Sequence, residues 1–153
     1  MQRRTLLQAA ATVAQVSLAL SIGLLPKRVL ATWPADAFHS ENLSDAERLL
    51  FEGREIADSD RITMDAPDIA ENGRNVPVEV TTDLPGLQSI CLLSDSNPFP
   101  LLARAHFTSS VRPRLALRFK LGGTGTLIAV VEAQGTLYRA TRKVKVTSGG
   151  CGG

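Results

Sequence analysis

Cysteine and histidine are scarce in this chain of 153 residues, with two of each. His39 and His106 stand far apart, and neither has a second histidine near it. No pair or triplet therefore has the spacing of a metal site. Cys91 and Cys151 are 60 positions apart, too few and too distant for a disulfide framework or a zinc ribbon. No GxSxG elbow, P-loop, CxxC or dinucleotide fingerprint appears. Asp58, Asp60, Asp65 and Asp68 are spread through turns and strand ends, where they read as solubility charges rather than a calcium loop. Residues for an autonomous active site are missing, so the chain is not expected to be an enzyme. Nor does the sequence suggest a resident metal or cofactor.

A basic run is also missing from the body of the chain. The formal charge is +2, from 17 Lys and Arg against 15 Asp and Glu. Four of the basic residues, Arg3, Arg4, Lys27 and Arg28, fall in the first 31 positions, which contain no acid. Without that segment the balance is 13 against 15, or −2. No nucleic-acid footprint survives.

The first 31 residues read as an address. Arg3-Arg4 opens a basic region, Leu6 to Leu25 is moderately apolar, and Val29-Leu30-Ala31 is a small-x-small cleavage pattern before Thr32. The adjacent arginines point to a twin-arginine signal, which exports proteins already folded and would deliver the mature chain to the periplasm. The competing reading is a retained membrane anchor.

Residues 32–60 form a lead-in with one short helix, expected from about Asp45 to Ala57. Ser44-Asp45-Ala46-Glu47 has the form of a capping box, and Leu49, Leu50, Phe51 and Ile56 fall near helical spacing. The helix reads equally well as a docking element or as a cap over the core. From 61 to 147 the texture is short alternating runs broken by turn residues. Val76, Val78 and Val80 share one face. Leu115, Leu117, Phe119 and Leu121 are expected to face inward, with Arg114, Arg118 and Lys120 outward. Gln134-Gly135 marks a hairpin into Leu137 to Thr147. About seven strands with no helical run between them predict an all-β, immunoglobulin-like antiparallel sandwich.

Residues 148–153 cannot pack. Gly149, Gly150, Gly152 and Gly153 flank Cys151, and ordering such a tail costs more backbone entropy than its contacts could return. The sequence therefore places a thiol on a flexible arm, with an ordinary thiol pKa of about 8.5 raised slightly by the nearby terminal carboxylate. Access, not activation, is what the arm supplies. Four residues extend at most about 14 Å, thin enough to enter a channel in another protein. Two other readings stay open: a staple that dimerises a secreted domain, and a Gly-Gly tail activated at its carboxylate. Cys91, among Ile90, Leu92 and Leu93, reads as a small core hydrophobe. An exposed thiol paired with Cys151 is the alternative.

The ending Val144-Lys145-Val146-Thr147-Ser148-Gly149-Gly150-Cys151-Gly152-Gly153 resembles the terminal motif of the SoxY family. Ala66-Pro67-Asp68-Ile69-Ala70-Glu71-Asn72-Gly73 with Val76-Pro77-Val78, and Asn97-Pro98-Phe99-Pro100-Leu101, resemble two further segments of that family. Cys91 lies outside its motifs. The resemblance implies a carrier of covalently bound sulfur in thiosulfate oxidation. Cys151 would be joined oxidatively to thiosulfate by the haem protein SoxAX, relieved of sulfate by SoxB, and further oxidised where the sulfane dehydrogenase SoxCD is present. The implied stable partner is SoxZ, a small β-sandwich subunit without an export signal of its own.

Overall fold

The computed structural model describes residues 34–147. Residues 1–31, expected to be an export signal, and residues 148–153, expected to be a flexible arm, lie outside the described residues. Two short helices come first, α1 (Ala35–Phe38) and α2 (Leu43–Phe51). Nine strands follow: β1 (Ile56–Asp58), β2 (Ile62–Asp65), β3 (Ile69–Ala70), β4 (Val76–Thr82), β5 (Leu87–Ser94), β6 (Leu101–His106), β7 (Arg114–Phe119), β8 (Gly125–Ala133) and β9 (Thr136–Val146).

The chain is a β-sandwich. Seven longer strands pair antiparallel in two sheets, β9-β8-β5-β6 and β2-β4-β7. The very short β1 and β3 join the outer edge of β9 in parallel, Ile56 opposite Leu137 and Ile69 opposite Lys145. Between those two contacts the chain crosses to the smaller sheet to form β2. Gln134 and Gly135 both have positive φ, 50° and 77°, the handedness that lets a two-residue turn match the twist of β8 and β9.

Strand alternation divides the interior into two cores. Ile90 and Leu92 of β5 point between the sheets with Val76, Val78, Val80, Leu127, Val131 and Val144. Their neighbours Cys91 and Leu93 point to the opposite face, where Ala46, Leu50 and Phe51 of α2 cover them together with Ile128, Val130 and Leu137. The helix is thus a lid on the outer face of the larger sheet, which explains why β5 is apolar on both faces instead of alternating.

The helix begins two residues before the expected position and ends well short of Ala57. Asn42, not Ser44, is the cap: its Oδ1 accepts from the Asp45 N–H at 2.8 Å, and the Ser44 hydroxyl donates to that same oxygen at 3.0 Å. Asn and Ser cap about equally well, so the earlier Asn captures the helix start. Glu52 and Gly53, at φ 54° and 73°, turn the chain into the left-handed region and stop it. The lead-in holds a second helical turn, α1, beside the one expected, and His39 Nδ1 lies 2.7 Å from the Ala35 carbonyl oxygen.

One expected core position differs. Leu117 is opposite buried Val78 and so lies on the inner row, yet it is 37% exposed. It sits on β7, an edge strand, where no further strand covers the row.

Candidate functional site at the root of the C-terminal arm

Cys151 and its glycines 149, 150, 152 and 153 lie outside the described residues. What the structure describes is the platform from which they depart. β9 is the longest strand, with Val144 fully buried and Lys143 and Lys145 outside the core. Its end is held from both sides. Ala70 of β3 stands opposite Val146, and the Lys145 N–H donates to the Asp68 carbonyl at 2.9 Å. The Thr147 N–H then donates to the Ala70 carbonyl at 3.0 Å. On the other flank the Thr124 hydroxyl accepts from the Val146 N–H at 2.9 Å and donates back to the Val146 carbonyl at 3.3 Å. The last backbone groups of the strand are thus paired on both flanks, which opposes fraying.

Glycine at 73 is required by this packing. A Cβ there would lie 2.8 Å from Val146 Cγ1 and 3.0 Å from the Leu121 carbonyl oxygen. The Leu121 N–H in turn donates to the Gly73 carbonyl at 2.7 Å. A second brace comes from Asn97. Its Nδ2 donates to the Lys120 carbonyl at 2.9 Å, and its Oδ1 accepts from the Gly122 N–H at 2.8 Å. Asp95 Oδ1 accepts from the Thr126 N–H at 2.7 Å. Three loops and the last turn of strand hydrogen bonding are thereby locked into one end of the sandwich.

The two internal segments that the sequence singled out, 66–73 and 97–101, are therefore parts of this clamp. Their spacing said nothing of that role. Thr124 is the member that sequence reading missed, because an exposed threonine in a Gly-rich turn carries no pattern of its own.

The rest of the titratable inventory does not gather. His39 lies by α1 and His106 is exposed on β6. Among the described residues no three His, Cys, Asp or Glu side chains come together as a metal site. Cys91 is fully buried and unbridged. Burial pushes its thiol up to about 11, with Arg104 opposing and Glu132 adding to the rise. It stays protonated at neutral pH and out of reach of reagents. The register Cys91–Val130–Arg139 puts it two strands across from β9 and seven residues back from Val146, roughly 25 Å from the root. Five residues fully extended span at most about 18 Å, so a bond to Cys151 is out of reach of the native fold, and α2 covers Cys91 besides.

A family model described as "Sulfur oxidation protein SoxY" matches residues 47–151, a span that ends on Cys151. The chain belongs to the SoxY family. The sulfur carrier protein SoxY from Chlorobium limicola f thiosulfatophilum is 40% identical, with a TM-score of 0.64 over 69% of this chain and 96% of that one. A superoxide reductase (neelaredoxin) from Ignicoccus hospitalis is similar at 21% identity and a TM-score of 0.53, over 60% of this chain and 95% of that one. A single-residue variant of that reductase gives 22% and 0.51 over 56% and 79%. Likeness at that level speaks to the sandwich fold alone. No match was found among functionally curated sequences. Membership in SoxY assigns the chain to the sulfur carriers.

Proposed function

We propose that this SoxY chain is a periplasmic carrier that holds thiosulfate-derived sulfur on Cys151 while partner enzymes act on it. The observation that carries the reading is the contrast at residue 147. A root hydrogen-bonded on both flanks is followed at once by a sequence, Ser-Gly-Gly-Cys-Gly-Gly, with no means of packing. A rigid base and a side-chain-free thread suit a thiol that must enter other proteins' active sites.

The chemistry proceeds in balanced steps. Cys151 sulfur bonds to the outer sulfur of thiosulfate, losing the thiol proton and two electrons to the haem centres of SoxAX. Water then cleaves the bond between the two outer sulfurs at SoxB. Sulfate and two protons leave, and a persulfide anion remains on Cys151. SoxCD, where present, would accept six electrons from that outer sulfur as three waters supply its oxygens and six protons leave; hydrolysis of the resulting S-sulfonate then releases a second sulfate and restores the thiol. SoxZ is the stable partner, and export of the folded pair through the twin-arginine route accounts for the Arg3-Arg4 segment.

Intact-mass analysis of the protein from thiosulfate-grown cells tests this. Thiosulfonate or persulfide mass on the C-terminal peptide is the expected result. A disulfide-linked dimer as the sole product would instead favour a secreted structural module, and a modified terminal carboxylate a Gly-Gly conjugate.

A further inference from the structure

The end of the sandwich that bears the arm's root differs in charge from the rest of the domain. It is built from residues 65–75, 95–100, 118–125 and 142–147, the loops and strand end that the clamp joins. Arg74, Arg118, Lys120, Arg142, Lys143 and Lys145 fall in these segments, against Asp65, Asp68, Glu71 and Asp95. The remaining described residues hold seven bases and eleven acids. A domain that is negative in sum is therefore positive at the end from which the arm departs.

Ion pairing does not cancel this excess. Arg142 is paired with Asp68 at 2.9 Å, and the other five bases have no carboxylate within ion-pair distance among the described residues. Lys143 and Lys145 are exposed on the outer row of β9, four and two residues before Thr147. Apolar side chains flank them. Ile69 stands opposite Lys145 in parallel register, so it shares that face, and it is 57% exposed. On the other side of the root, Phe99 is 48% exposed in the loop from β5 to β6, roughly 10–15 Å from β9 at the usual strand spacing.

We propose that this end is a docking face shared by the enzymes that act on Cys151, each of which presents an acidic rim with apolar contacts around the mouth of its channel. The assignment rests on the reading above that Cys151 carries sulfur between proteins. The reach of the arm selects the surface. Cys151 lies at most about 14 Å from Thr147, and a channel that shields the reacting sulfur from water uses most of that length. The channel rim therefore settles on the end that holds Lys143, Lys145 and Ile69, whichever enzyme is visiting. The glycines offer a visitor neither charge nor side chain to recognise, so the face supplies the steering and selectivity that they lack. Exposed charges hold a partner weakly in salt, which suits an encounter that must end before the next enzyme can bind. End-to-end contact with a second copy would set two positive ends against each other and is disfavoured.

Sulfate release by SoxB tests the face. The mature chain, purified with SoxZ, is loaded with tetrathionate: the Cys151 thiolate takes up an –S–SO3⁻ group, and thiosulfate leaves. Lys145→Glu is expected to lower kcat/KM about five-fold or more at low ionic strength, through KM with kcat unchanged. The deficit should shrink as salt rises past about 0.15 M, where the Debye length is about 8 Å. Arg112→Glu makes the same change of charge at the opposite end of β7, about 20 Å away, and should leave kcat/KM at the parental value. Both positions are exposed, and the backbone bond from the Lys145 N–H to Asp68 is kept. Parental kcat/KM in Lys145→Glu, an equal loss in the two variants, or a loss confined to kcat overturns the docking face and spares the carrier. If the loaded wild-type chain yields no sulfate with SoxB, the carrier reading itself fails and the face with it.

Discussion

Gly73 and Val146 meet so closely that a single methyl added to the glycine would lie 2.8 Å from the valine's Cγ1. The contact ties the loop after β3 to the last residue of β9, one position before the final described residue. Gly73→Ala is expected to destabilise the domain by about 1–3 kcal/mol, the usual effect of overpacking a tight contact. It should also speed hydrogen exchange at the Thr147 N–H. Gly123→Ala is the matched control, because a Cβ there meets nothing within 4 Å. Equal unfolding midpoints for the two variants would remove the clamp from the account.

Asn97 braces the same end through two side-chain hydrogen bonds, to the Lys120 carbonyl and from the Gly122 N–H. Asn97→Ala leaves both backbone groups without that partner. The expected loss is about 1–3 kcal/mol in chemical denaturation, reduced where water can replace the amide. Asn97→Asp should be intermediate, since it still accepts from Gly122 and cannot donate to Lys120.

The sandwich is legible in the sequence because its signals are local. Val76-Pro77-Val78-Glu79-Val80 alternates cleanly, and Gln134-Gly135 supplies a turn suited to a hairpin. Leu117 departs from expectation for a related reason: alternation reports which face a side chain takes, and cannot report whether another strand exists to cover it. The helix start shifts because Asn42 and Ser44 are near-equal caps two residues apart. β1 and β3 leave no trace in the pattern, being three and two residues long and held by β9 rather than by their own composition. At the arm, sequence identifies the thiol and its glycines, but the clamp of Gly73, Asn97 and Thr124 depends on contacts between distant segments.

Cys91 gives a pH prediction with a definite sign. Its folded pKa is raised from 9.0 to about 11, chiefly because burial penalises the thiolate. The folded state therefore keeps a proton that the unfolded chain gives up. This contribution is fully present below about pH 9 and is lost as pH rises toward 11, a change on the order of 2–3 kcal/mol. Cys91→Ala should flatten that segment of the stability curve relative to the parent. At pH 7.5 the native protein should take up alkylating reagent at Cys151 and not at Cys91, with the second site opening only in denaturant. Prompt double alkylation of native protein would contradict the buried assignment.

Separating the thiol from its thread tests the carrier directly. Cys151→Ser removes the sulfur that the sequence places between the glycines; it should abolish thiosulfate loading and leave the unfolding midpoint unchanged. A protein with Gly149→Pro and Gly150→Pro keeps the thiol but stiffens its approach, since proline fixes φ near −65° and extends the chain. Alkylation of Cys151 by a small reagent should proceed at the parental rate in this variant. Enzymatic loading and sulfate release should slow by about ten-fold or more, a barrier increase near 1.4 kcal/mol, because the thread must now fit each channel in one shape. If turnover is undiminished while the thiol remains equally reactive, arm flexibility is not what the glycines contribute. The carrier would then be working through thiol access alone.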